Sequence, residues 1–179
     1  MARTESNPFA LLKKLEQRGR DHQAVLPAQE EVSPEWSGIG FRLGAWRLVA
    51  PMDQVNEILT MPRLSPVPNT KPWVKGIANV RGTLLPIMDL GGFLGRASTM
   101  TRLSRVVVVR HGELTAGLLV DEVLGMRRFL EDDRVPVPET VDEALRPYLV
   151  SCFSADDGVW YVFGMRALAE SPQFLKVAS

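Results

Sequence analysis

Cysteine is nearly missing from this chain. Cys152 stands alone among 179 residues, so no internal disulfide can form. A lone thiol suits a reducing compartment, and the expected location is cytoplasmic. Histidine is almost as scarce. His22 and His111 are the only two, and nothing in the sequence pairs them with other ligand types. A zinc-type site needs such a cluster, so neither a metal nor a cofactor is expected. An excess of charge of either sign is also absent: 21 Lys plus Arg balance 21 Asp plus Glu. Without a global basic field there is no nucleic-acid partner to expect, and without an acidic excess no disordered chain. Long apolar runs are missing too. The stretch "VVVV" at 106–109 sits between Arg105 and Arg110, far short of the roughly 18 apolar residues of a membrane span. The N-terminal residues are broken by charge from Lys13 onward, which does not read as a secretion signal. No integral membrane segment is expected.

Catalytic patterns are missing as well. Cys152 lies between Ser151 and Phe153 in a strand-like stretch, where a small buried thiol is expected rather than a nucleophile. The acidic pairs Asp121-Glu122, Asp132-Asp133 and Asp156-Asp157 are adjacent in sequence. Neighbours on a strand point to opposite faces, so such pairs rarely share a proton. "GIGF" at 38–41 lacks the third glycine of a dinucleotide loop, and "GIANVRG" lacks the Gly-Lys-Ser/Thr of a phosphate loop.

What is present reads as many short strands. Residues 7–20 form the exception. Asn7 can cap a helix, Pro8 suits its first position, and Phe9, Leu11, Leu12 and Leu15 give it an apolar stripe. Residues 21–37, punctuated by Pro27 and Pro34, read as a linker. Strands are then expected at 39–43 and 45–50 around a turn at Gly44. A strand or helical turn follows in "MDQVNEIL", and an extended loop over 60–75 with four prolines. Residues 83–88 read as a strand in which Pro86 implies an edge or an irregularity. "DLGGFLG" reads as one short helical turn. Further strands are expected in "SRVVVVR", "LTAGLLV" and "DEVLGMRRF", with a hairpin around Asp157-Gly158 and a short helix in "MRALAE". This spacing implies an all-β barrel or sandwich of one domain, and no internal repeat stands out.

One turn is unusual. In "GIANVRGTLLPIMDL", residues 76–90, Gly76 and Gly82 bracket Arg81. Either Arg81 is a solvated surface arginine, or it presents its planar five-donor fork to a partner. The residues around it bear on that choice. "FRLGAWRLVAPMDQVNEIL", then "GIANVRGTLLPIMDL", then "GLLVDEVLGM" resemble, in order and spacing, the CheW family of chemotaxis coupling proteins. Asn79-Val80-Arg81-Gly82 matches its Asn-Leu-Arg-Gly turn with valine for leucine, and Val120-Asp121-Glu122-Val123 matches its Val-Asp-x-Val element. The chain looks closest to the PilI-type branch, from twitching-motility (type IV pilus) systems.

The resemblance implies two SH3-like five-stranded β-barrel subdomains with short helices and a hydrophobic groove between them. The N-terminal helix on its linker (1–37) would precede a CheW-like domain (38–170) and a C-terminal tail (171–179). It implies a non-enzymatic adaptor that binds the cytoplasmic hairpin tip of chemoreceptors and the regulatory domain of a CheA-type histidine kinase. The family's partner-binding positions fall on Val55, Glu57, Ile58, Asn79, Arg81 and Gly82. Helix-in-groove binding needs an apolar wall, and Leu118, Val120 and Val123 are the candidates for it. Asp121 is expected to be structural, accepting backbone N–H groups. The alternatives are a regulatory adaptor of the same fold in another two-component pathway, and a small β-barrel enzyme. The missing acid–base or metal cluster weighs against the enzyme.

Overall fold

The computed structural model describes residues 34–177 apart from positions 98 and 113. The expected helix at 7–20 and residues 21–33 of the expected linker lie outside the described residues. The end of that linker is strand instead, because Glu35, Trp36 and Ser37 pair with the strand Glu122–Leu130 and Trp36 packs on Phe153. Eleven strands follow in chain order: β1 (Glu35–Leu43), β2 (Trp46–Pro51), β3 (Val55–Thr60), β4 (Val74–Val80), β5 (Thr83–Asp89), β6 (Arg105–His111), β7 (Leu114–Val120), β8 (Glu122–Leu130), β9 (Arg134–Val135), β10 (Leu149–Ala155) and β11 (Gly158–Phe163). Three short helices join them: α1 (Leu90–Phe93), α2 (Met165–Ala169) and α3 (Pro172–Leu175). The "MDQVNEIL" stretch takes both of its expected forms, a single 3-10 turn at Met52–Gln54 and then β3.

The strands form two sheets that do not follow chain order. One is β8-β1-β2-β11-β10-β9 and the other is β3-β6-β7-β5-β4. The first two strands therefore pair with the last four, and β3–β7 are set between them. The expected pair of small β units is present, and the first carries a sixth strand of only two residues.

Both sheets curl. Strands lie about 4.8 Å apart, so four steps across a flat sheet separate its members by roughly 19 Å. In the first sheet β8 and β10 are four steps apart, yet the Phe129 and Phe153 rings stack with centroids 4.6 Å apart. In the second, Glu57 of the edge strand β3 reaches Arg81 at the tip of the opposite edge hairpin within 2.6 Å. Each curled sheet encloses its own apolar cluster. Val49, Phe129, Phe153, Trp160 and Val162 fill the first, and Ala78, Leu85, Ile87, Val106, Val108 and Leu119 fill the second. A third and larger cluster draws on both sheets, with Phe41, Leu48, Phe163, Val107, Leu118 and Val120 among its members.

Pro86 does not mark an edge. β5 lies between β4 and β7, and Pro86 is tolerated because pairing with β7 begins only at Ile87. The irregularity is on the partner strand, where the register shifts between Val74 and Gly76. Within residues 171–177, Phe174 of α3 is buried in the large cluster.

Asp121 stands where the chain passes from one sheet to the other. Its Oδ2 accepts the Gly44 N–H at 2.6 Å, holding the β1–β2 turn, in which Gly44 has φ +60°. Replacing Asp121 with alanine should lower unfolding free energy by about 1 kcal/mol. This is below the roughly 1.5–3 kcal/mol of a hydrogen bond to a charged group, because Gly44 is exposed and water can take over the donor. Denaturant melts of the two proteins would show it, and an unchanged midpoint would refute it.

Candidate functional site

The β4–β5 hairpin closes with Val80 opposite Thr83, so its loop is only Arg81 and Gly82. Both have positive φ, +51° and +85°. That is the two-residue turn whose twist suits a hairpin, and it favours Asn or Gly at both loop positions. A non-glycine residue in the left-handed region costs on the order of 1 kcal/mol. Arginine therefore stands here against a local preference. The Oδ1 of Asn79 accepts the Gly82 N–H at 2.9 Å and holds the turn.

The Arg81 side chain is 80% exposed and donates through Nη2 to Glu57 Oε1 at 2.6 Å. An exposed pair of this kind contributes at most about 1 kcal/mol, so stability does not account for it. The pair uses one of five guanidinium N–H donors. Glu57 aims the fork and leaves its other donors toward solvent. Two sequence blocks that are 24 residues apart thus build one site. Beside the pair is a shallow cleft of about 300 Å³ lined by Asn56, Val80, Thr83, Leu85, Val108 and Thr115.

The other predicted residues separate. Ile58 follows Glu57 on β3, points the other way and is 39% exposed. Val55 is half-buried against the large core cluster. Leu118 and Val120 require a correction. They are 0% and 1% exposed, so they cannot line an open groove. The space between the two sheets is filled by the protein's own side chains, and these two are part of that filling. Val123 packs half-buried against the same cluster.

Leu84, next to the turn, was not singled out from sequence and is 70% exposed. The Leu84-Leu85 pair could have signalled it. Strand alternation sends one of two adjacent leucines outward, and the two-residue turn register makes it Leu84.

Among the described residues, neither the cysteine nor His111 belongs to the cleft beside Arg81. Cys152 is buried, and burial pushes its thiol up to about 11. His111 faces Glu170 at 3.2 Å, and the hydrogen bond from Arg166 holds that carboxyl below its usual range. Among the described residues no group of three His, Cys, Asp or Glu could hold a metal ion, and no helix is long and apolar enough to cross a membrane.

The family model described as the CheW-like domain matches residues 37–173. The protein PilI of Pseudomonas aeruginosa is 48% identical over 172 residues, 96% of each chain. FrzA of Myxococcus xanthus is 37% identical over 64% of this chain and 72% of its own. The chemotaxis protein CheW of Helicobacter pylori is 31% identical over 74% of this chain and 80% of its own. Among solved structures, the scaffolding protein TtCheW from Thermoanaerobacter tengcongensis superposes with a TM-score of 0.69. That likeness covers 78% of this chain and 96% of the other at 23% identity, and it bears on the fold alone.

Proposed function

This chain belongs to the CheW family, and we propose from that premise that it is a non-enzymatic cytoplasmic adaptor. It couples methyl-accepting chemoreceptors to a CheA-type histidine kinase, in a twitching-motility or chemotaxis pathway. The kinship to PilI over nearly the whole chain favours twitching motility. The observation that carries the reading is the Glu57–Arg81 pair on its left-handed turn. A solvated guanidinium with free donors, held in place at an energetic cost, is suited to a partner's carboxylate or carbonyl oxygens. Val55, Glu57, Ile58, Asn79, Arg81 and Gly82 form the proposed partner region. Its partners are the cytoplasmic hairpin tip of a receptor and the regulatory domain of the kinase.

Pull-down and calorimetry against a receptor cytoplasmic fragment and an isolated kinase regulatory domain test this directly. Saturable binding to both is expected. Binding to neither would refute the adaptor reading.

A further inference from the structure

A second recess lies away from the Arg81 turn. Val67, Val74, Ile77, Pro86, Met88 and Leu175 are among its walls, and it encloses about 280 Å³. Its walls nearest that turn, Ile77 and Pro86, face each other on the same hairpin, and Ile77 is four residues from Arg81, roughly 13 Å along the strand. The recess is almost wholly apolar. Its one polar side chain, Thr70, already donates from Oγ1 to the Val67 carbonyl at 2.9 Å. A small-molecule site usually has a larger volume and several convergent polar groups to orient its ligand. This one has space for one or two large side chains and nothing to orient a metabolite.

The recess is also built rather than incidental. Gly76 has φ +135°, and a Cβ there would lie 2.4 Å from the Ser65 carbonyl oxygen. Only glycine lets Ser65 and Ile77 exchange their two backbone hydrogen bonds, at 2.8 and 2.9 Å, which draw the 65–67 loop against β4. The opposite wall is pinned by the Lys71 N–H to the Val177 carbonyl at 2.9 Å. Phe174 is buried beneath, while Leu175 is 52% exposed at the rim.

Among the described residues, the wall segments 63–77 and 171–177 carry Arg63, Lys71, Lys75 and Lys176 and no acidic residue. Lys75 is paired, 3.1 Å from the buried Asp89. Lys71 and Lys176, each next to a wall residue, have no ion-pair partner among the described residues. An apolar hole with an uncompensated cationic rim selects an apolar side chain with carboxylates on either side.

We propose that this recess is a second docking site, distinct from the Arg81 surface, for an acidic protein segment that inserts one large apolar anchor. The walls are preformed, so an incoming segment bears the ordering cost alone. The lysines contribute selection and salt dependence.

The test uses the full-length protein and a synthetic peptide with one phenylalanine flanked on each side by three glutamates. It is followed by amide chemical shifts at low and high salt. Saturable shifts at Val67, Thr70 and Leu175 are expected, weakening as salt screens the rim. The Lys71→Glu/Lys176→Glu double variant should lose about tenfold in affinity. A peptide with alanine for the phenylalanine should lose at least as much, and Arg81→Ala should change nothing. No saturable shift at millimolar peptide would overturn the proposal. So would equal binding of a lysine-flanked peptide. Concentration-dependent self-association that Leu175→Glu abolishes would overturn it too, by assigning the recess to a second copy of this chain. Because Arg81 is spared, failure here is separable from failure of the adaptor reading.

Discussion

Replacing Leu118 with alanine should lower unfolding free energy by about 2–5 kcal/mol, the range for truncating a fully buried leucine. It should leave partner affinity of the folded fraction unchanged. Leu118 is 0% exposed within the cluster that joins the two sheets. Denaturant melts combined with titration of a receptor fragment would decide it. Wild-type stability with weakened receptor binding would return Leu118 to a groove wall.

Arg81→Ala should have the opposite profile. Truncating an interface arginine costs on the order of 2 kcal/mol in binding, about thirtyfold in affinity. Stability should hardly change, because the lost ion pair with Glu57 is solvated. Arg81→Gly sharpens the test. Glycine accepts φ +51° without the steric cost that arginine bears there. That variant should be as stable as the parent or about 1 kcal/mol more stable, and still bind poorly. Unchanged affinity in either variant, or a melting loss large enough to explain weaker binding, would show that Arg81 serves the fold and not a partner.

The turn itself was legible in sequence because it is local. Two glycines, one asparagine and one arginine within four positions define its geometry through φ preferences and a single side-chain hydrogen bond. Most of the strands and the helical turn of α1 were legible for the same reason; its cap, in which Asp89 Oδ1 accepts the Gly92 N–H at 3.0 Å, was not singled out. The two-sheet topology was not. Nothing within β1 or β2 says that they will pair with β8 and β11 rather than with β3, since that choice depends on contacts 80 or more residues apart, such as Arg42 with Glu122. The facing of "GLLVDEV" was hidden by the same non-locality. Apolar residues on both faces of β7 make alternation uninformative, and only the presence of two clusters, with Leu118 and Val120 in one and Leu119 in the other, fixes which side each leucine serves. Of the edge or irregularity that Pro86 implied, the irregularity is present in the pairing of β5 with β4 and the edge is not, for a related reason. The tolerance of Pro86 depends on where the neighbouring strand begins to pair, not on its own strand.

In the proposed role, receptor state reaches kinase activity through the surface around Arg81. Autophosphorylation of a CheA-type kinase, measured with a clustered receptor cytoplasmic fragment in the presence and absence of this protein, tests it most directly. The receptor should change the kinase rate only when the protein is added, and Arg81→Ala should abolish the change while remaining folded. A kinase that responds to the receptor equally well without the protein, or that never responds with it, would contradict the account.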